Sequence, residues 1–280
     1  MKLIKPSFEI IEQKPGVDGL LQHIERCGRT CYKSEDKITE DSAEKFVDML
    51  VRRGHTAMVE HGTIYLRIPE KSVDGQYVYP AKGKYIAQKY SIANSRLEGV
   101  AQNPYSVFYV TTNYRVLLQN GWLDDLQYLC EPTEYHTKRI TVKFVCDRGV
   151  SHEFVRHRVF SFAQESTRYC NYSKDKFGNE LTFIEPCWDW GSVTRDGFVA
   201  FQTALVEAEN MYLYLLQNGW KPQQARAILP NSLKTELIMT GTIKQWEGFF
   251  KLRDAKDAHP QARELAQPLH EEFIKRGYIK

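Results

Sequence analysis

Apolar residues return at helical spacing between Asp41 and Val51, where Ala43, Phe46, Val47, Leu50 and Val51 share one side, and this predicts a helix. Three later segments alternate instead: Thr63 to Ile68, Tyr105 to Thr112, and Lys138 to Val145 read as strands. In the last of these Arg139 and Lys143 fall opposite Ile140, Val142 and Phe144, so the sheet is expected to have one wetter face. A helix is predicted over Asp147 to Val155, burying Val150 and Phe154, with Arg156 to Arg158 at its end and a loop from Ser161 to Tyr169. Thr194 to Asn218, closed by Gly219, reads as a long amphipathic helix, and Pro222 is placed to start the helix that carries Arg226. Leu233 to Thr240, Ile243 to Leu252 and Pro260 to Lys275 read as further helices and make the C-terminal half helix-rich. Strands and helices do not alternate regularly. The expectation is an α+β fold, with an antiparallel or mixed central sheet flanked by helices, forming a single domain over 1–280.

Composition narrows the class. With 280 residues, 42% hydrophobic and 12% aromatic, the chain can bury a substantial core. No apolar run approaches the ~20 residues of a membrane helix, and Met1 to Pro6 lacks the apolar stretch of a signal peptide, so a cytoplasmic protein without membrane contact is expected. The cysteines (Cys27, Cys31, Cys130, Cys146, Cys170, Cys187) contain no C-x-x-C pair and read as reduced thiols. A net charge of +3 makes no general case for a nucleic-acid partner, so basic residues matter where they cluster.

They cluster once. Arg156-His157-Arg158 is followed by Ser161, Gln164, Ser166, Thr167 and Arg168-Tyr169. Guanidinium groups bind phosphate oxygens bidentately and keep their charge, while hydroxyls add short directional bonds, so the segment reads as an anion cradle. Arg156, Arg158 and Arg168 would repel one another without anions between them. Isolated arginines such as Arg148, Arg195 and Arg263 read as solvated or salt-bridged surface groups, and Arg226 and Arg253, taken alone, as helix-surface residues. His55, His61 and His157 read as hydrogen-bonded imidazoles. Their spacing offers no H-E-x-x-H motif, and no metal site is expected.

The stretch from Arg156 to Ser173, RHRVFSFAQESTRYCNYS, resembles the signature of the flavin-dependent thymidylate synthases, R-H-R, seven residues, then S. Two further blocks match in order: His55 to His61 is similar to the family's H-x-x-x-x-E-H, and Ala225 to Pro230 to its A-R-x-x-L-P. Leu252-Arg253 and His259-Pro260-Gln261 look like its closing L-R and H-x-Q segment. The resemblance implies methylation of dUMP at C5, with 5,10-methylenetetrahydrofolate as one-carbon donor and NADPH as reductant through bound FAD. It implies FAD contacts from Arg156, His157 and Arg158, with Gln164, Thr242, Lys244, Gly248, His55, Glu60 and His259 on the cofactor and folate side. It implies dUMP contacts from Glu153, Arg156, Gln164, Glu165, Ser166, Thr167, Arg168, Arg226 and Arg253. Arg253 takes the catalytic role at the uracil edge, no cysteine attacks, and active sites form between subunits of a homotetramer.

The chain departs from the family pattern at Ala163-Gln164, where Asn-Glu is usual, at Thr242-Ile243-Lys244 and Gly248, and in about two extra residues before His259. Residues from about 70 to 136 form an aromatic-rich insertion, with Tyr77, Tyr79, Tyr85, Tyr90 and Tyr105, that reads first as a surface elaboration and second as a lid or subunit contact. A non-flavin nucleotide- or RNA-binding protein using the arginine–tyrosine cluster is the main alternative. A phosphoester hydrolase built on His157 and Ser166 lacks an orienting carboxylate at a recognisable spacing, and an inactive structural subunit does not account for all three blocks.

Overall fold

The computed structural model describes residues 1–70, 86–99, 105–174 and 177–280; Tyr77, Tyr79 and Tyr85 of the insertion lie outside them. The strands are β1 (Lys2–Ile4), β2 (Ser7–Ile11), β3 (Thr63–Pro69), β4 (Ala93–Glu98), β5 (Tyr105–Asn113), β6 (Arg139–Asp147), β7 (Ser161–Gln164), β8 (Thr182–Ile184) and β9 (Lys234–Thr242). The helices are α1 (Gly16–Tyr32), α2 (Ser42–Arg52), α3 (Tyr114–Asn120), α4 (Arg148–Phe154), α5 (Arg195–Gln217), α6 (Pro222–Ala225), α7 (Ile243–Arg253) and α8 (Pro260–Lys275). This is the expected mixed α+β architecture with antiparallel sheets. Among the described residues no helix is long and apolar enough to cross a membrane.

The central sheet runs β2-β6-β9-β7, and every neighbouring pair is antiparallel. One face carries Val142, Phe144, Leu237 and Met239, which pack with Phe154, Trp246, Phe249, Leu265 and Phe273 of α4, α7 and α8 into the largest apolar cluster. Phe144 and Phe154 meet edge to face at 5.0 Å between ring centres. The other face is the polar one foreseen from the alternation of β6, yet α1 covers much of it: Cys27 of α1 packs with Ile11, Ala163 and Ile238. Buried hydroxyls and imidazoles fill the rest. His23 Nε2 lies 3.1 Å from Thr141 Oγ1, Thr141 bonds Thr240 at 2.8 Å, and Thr240 bonds His61 Nδ1 at 2.7 Å. Burial, with Arg26 and Arg139 nearby, pulls His23 down to about 4; burial, with His23 and Arg139, pulls His61 to about 3. Arg139, lowered to about 10 by burial, donates to the Glu60 carbonyl, Thr63 and Ser161.

Two predicted elements are corrected. Leu233 to Thr240 is not a helix: residues 234–242 form β9, the strand between β6 and β7, buried along nearly its whole length. A strand covered on both faces shows a continuous apolar run, Leu237-Ile238-Met239, rather than alternation, and such a run has no period to read. Ser161 to Gln164, expected in a loop, is strand β7, paired with β9 from Ser161↔Thr240 to Gln164↔Leu237. The pattern also fails to predict α1, because Gly19 and Gly28 interrupt it. Gly28 is there for packing, since a Cβ would come within 2.8 Å of the Phe46 ring of α2.

The insertion contributes β4, β5 and α3. With β3 it builds a second antiparallel sheet, β3-β5-β4, whose apolar side packs Ile64, Leu66, Ile68 and Val110 against Leu20, Ile24 and Leu50 of α1 and α2. Tyr90 is buried and donates to Asp125 at 2.6 Å. A third cluster joins Tyr172, Phe183, Leu205 and Tyr212 beside the parallel pair β1-β8.

Candidate functional site

A cavity of about 640 Å³ opens where the end of α1, the turn after α2, the end of β7 and the start of α4 meet. Its walls are Cys31 and Tyr32, His55 to Met58, Gln164 to Thr167 with Tyr169, Arg148, Arg115 of α3, and Arg226 just after α6. Six residues expected at a site thus line one space: His55, Gln164, Glu165, Ser166, Thr167 and Arg226.

Strand β7 delivers most of them. Its end is held to α1 by the Ser166 N–H donating to the Cys31 carbonyl at 3.1 Å and by Cys31 Sγ donating to the Gln164 carbonyl at 2.9 Å. Gln164 Nε2 donates to Ser151 and Thr235, so both amide hydrogens are turned inward. Glu165 is buried, yet satisfied: Lys234 Nζ sits 2.8 Å from it and the Tyr172 hydroxyl donates at 2.9 Å. Arg226 donates to Thr167 at 3.2 Å and is otherwise exposed. On the opposite wall Tyr32 stacks on His55, 6.1 Å between ring centres, bonds its Nδ1 through the hydroxyl, and meets Tyr169 at 5.5 Å. Glu60 ion-pairs with Arg115, which brings the insertion to the edge of the cavity. The space combines an aromatic wall with guanidinium and hydroxyl groups, the equipment for a ring bearing an anionic group.

A second group forms beyond the far end of α4. Arg253 Nη2 donates to the Glu153 carbonyl at 2.7 Å, Nη1 to the Glu153 carboxylate at 2.5 Å, and Nε to His157 Nε2 at 3.0 Å. His157 packs on Phe249, 5.1 Å between ring centres. Burial, with the Arg253 charge second, holds its imidazole down at about 4, so it is a neutral acceptor at pH 7. Its flanking arginines behave differently. Arg156 and Arg158 are exposed, and among the described residues neither guanidinium has a carboxylate partner.

The remaining expected residues lie apart from the cavity wall. Arg168 is exposed over the Tyr169 ring, 5.6 Å from its centre. Thr242 caps α7 by accepting from Gln245 N–H, Lys244 is exposed, and Gly248 faces open space. His259 stands against Trp188 and shares a small cavity of about 270 Å³ with Glu153 and Asp147. Ala163, where an amide is usual, points its methyl into the apolar contact with α1.

Among the cavity residues that the sequence reading missed are Arg148, Tyr32 and Arg115. Arg148 is not a surface group: it lines the cavity, and among the described residues it has no carboxylate partner. Tyr32 and Arg115 carry no local signal, because only the tertiary approach of α1 and α3 brings them to the wall.

The fold is α+β, with a cationic, aromatic-walled cavity at the end of β7. The chain belongs to the thymidylate synthase complementing protein family, whose model matches residues 132–276. The flavin-dependent thymidylate synthase of Pyrococcus furiosus is 31% identical over 137 residues, 48% of this chain and 54% of that protein. That of Geobacter sulfurreducens is 32% identical over 121 residues, 42% of this chain and 49% of the relative. The matched region thus spans about half the length of these relatives. The crystal structure of the UMP/dUMP methylase PolB from Streptomyces cacaoi bound with 5-Br dUMP aligns over 98% of this chain and 93% of PolB. At 17% identity and a TM-score of 0.45 that likeness adds no weight.

Proposed function

We propose that the protein is an FAD-dependent thymidylate synthase of the cytoplasm, methylating dUMP to dTMP with 5,10-methylenetetrahydrofolate as one-carbon donor and NADPH as reductant. The observation that carries this reading is the single cavity uniting Gln164, Ser166, Thr167 and Arg226 with His55, residues from three separate sequence blocks of the family. In it Ser166, Thr167 and Arg226 receive the nucleotide, with Arg168 at its rim. Arg253 does not line this cavity; in a site completed between subunits it meets the uracil edge, where anionic charge grows during reduction, and Glu153 and His157 hold its guanidinium in one orientation, so little reorganisation is needed.

The residues present fit a flavin dinucleotide. Arg156 and Arg158 are neighbouring exposed cations that have no carboxylate partner among the described residues, which suits a diphosphate, and Lys244 adds a third exposed charge. His157 turns inward to Arg253 and suits a supporting role. When bound, FAD supplies the uracil ring with a hydride that originates from NADPH. The separation of Arg156 and Arg158 from the nucleotide cavity fits an active site completed between subunits of a homotetramer.

The deciding experiment is the absorption spectrum of the purified protein before and after NADPH and dUMP. Flavin bands that bleach with NADPH, together with dTMP formation when 5,10-methylenetetrahydrofolate is added, are expected. A colourless protein that cannot be reconstituted with FAD yet binds nucleotides would sink this reading and favour a non-flavin nucleotide-binding protein using the Tyr32–His55–Tyr169 wall.

A further inference from the structure

We propose that Arg148, paired with Arg226, forms the phosphate clamp of the nucleotide pocket and makes it selective for a nucleotide over its nucleoside; this rests on the reading above. Charge balance leads to it. Glu165 in the cavity wall is neutralised by Lys234, and Arg115 is neutralised by Glu60. Among the described lining residues Arg148 and Arg226 are then the guanidiniums left without a carboxylate. A phosphate monoester carries about −1.5 to −2 at pH 7, which two guanidiniums match. A nucleoside carries nothing for them to meet.

Position supports the pairing. The Arg148 N–H donates to the Asn231 carbonyl at 2.8 Å and the Leu233 carbonyl at 3.1 Å, which fixes the start of α4 against the segment just after Arg226. The preceding residue, Asp147, caps α4 by accepting from Val150 N–H and lines the separate small cavity near His259. Adjacent residues therefore serve different spaces, and the Asp147 carboxylate is occupied elsewhere. Arg168, the arginine that the motif would nominate, is turned onto Tyr169 instead of lining the cavity wall.

The test compares dUMP with 2′-deoxyuridine on FAD-loaded protein by calorimetric titration at pH 7.5, using wild type, Arg148→Ala and Arg148→Lys. Arg148→Ala is expected to weaken dUMP by about 10- to 100-fold, the loss typical of a charge-assisted contact, and to leave deoxyuridine unchanged. Arg148→Lys should recover part of the loss, because it keeps charge without the bidentate fork. The wild-type preference for dUMP should also shrink as pH falls below about 6, where the phosphate becomes a monoanion. Undiminished dUMP affinity in Arg148→Ala, or equal losses for nucleotide and nucleoside, would overturn the clamp and leave the proposed function standing. Wild-type protein that binds flavin but no dUMP would overturn both. Should Arg148→Ala not fold, the lysine variant decides: its dUMP-to-deoxyuridine ratio must fall below that of wild type.

Discussion

Arg253 shows how one guanidinium can be tied down by neighbours that hold no formal share in the chemistry. Three of its five N–H groups go to Glu153 and His157, leaving two for a ligand, and the imidazole accepts only because it stays unprotonated. Arg253→Ala should lower dTMP formation by about 10²–10³ while flavin stays bound. The same substitution removes a positive charge beside His157, so the imidazole should titrate above its present value of about 4. NMR of the His157 ring reads this directly; an unmoved titration would mean that the contact does not persist in solution. Cys31 is the thiol in the cavity wall, and burial pushes it above the usual thiol range while its Sγ donates to the Gln164 carbonyl. Cys31→Ser should therefore keep most of the turnover. Abolished dTMP formation in folded, flavin-loaded Cys31→Ser would demand a thiolate nucleophile and contradict the proposed chemistry.

At the scale of elements, the polar face of the central sheet makes stability depend on pH. His23 of α1 and His61 are buried between α1 and the sheet, with folded values near 4 and 3, below the ordinary 6.5. Lowered folded values mean that the unfolded chain takes up protons first. Their contribution is intact above about pH 6.5 and is lost as pH falls from there towards 4 and below. Urea midpoints should drop across that window. His23→Gln should flatten the dependence, and an equal pH slope in that variant would exclude His23 as a source. The same sheet shows what local pattern can carry. Residues 260–275 of α8 are legible to the residue, because Ala262, Leu265, Ala266, Leu269 and Phe273 keep helical spacing. Strand β9 is illegible, because burial on both faces erases the period that a reader needs. For α1 the reason is different: Gly28 weakens the helix locally in return for close approach to Phe46, a tertiary gain that no window of sequence displays.

For the whole molecule, the motif residues divide into two groups, the cavity around Arg226 and the exposed pair Arg156 and Arg158. Sequence order named both, since motif spacing survives in the chain. It could not say that one protomer keeps them apart, because that depends on where α4 ends relative to β7. If sites are completed across subunits, inactive Arg156→Ala and Arg226→Ala proteins, mixed and reassociated, should regain activity at about a quarter of their sites. Mixtures as inactive as their parents would place each complete site within one chain.

The way the chain leaves and re-enters the central sheet has a kinetic consequence. Strand β2 must pair with β6, from Ser7↔Val145 to Ile11↔Thr141, across more than a hundred intervening residues, the kind of distant closure that slows folding. The accessory sheet runs from Thr63 to Asn113, which pair with each other, and the backbone N–H of Arg139, at the start of β6, donates to the Tyr65 hydroxyl at 3.0 Å. Once β3 and β5 have zipped together, Thr63 and Asn113 are held side by side within that long detour. The inserted segment then acts as a loop closer, shortening the entropic distance that β2 and β6 have to cover.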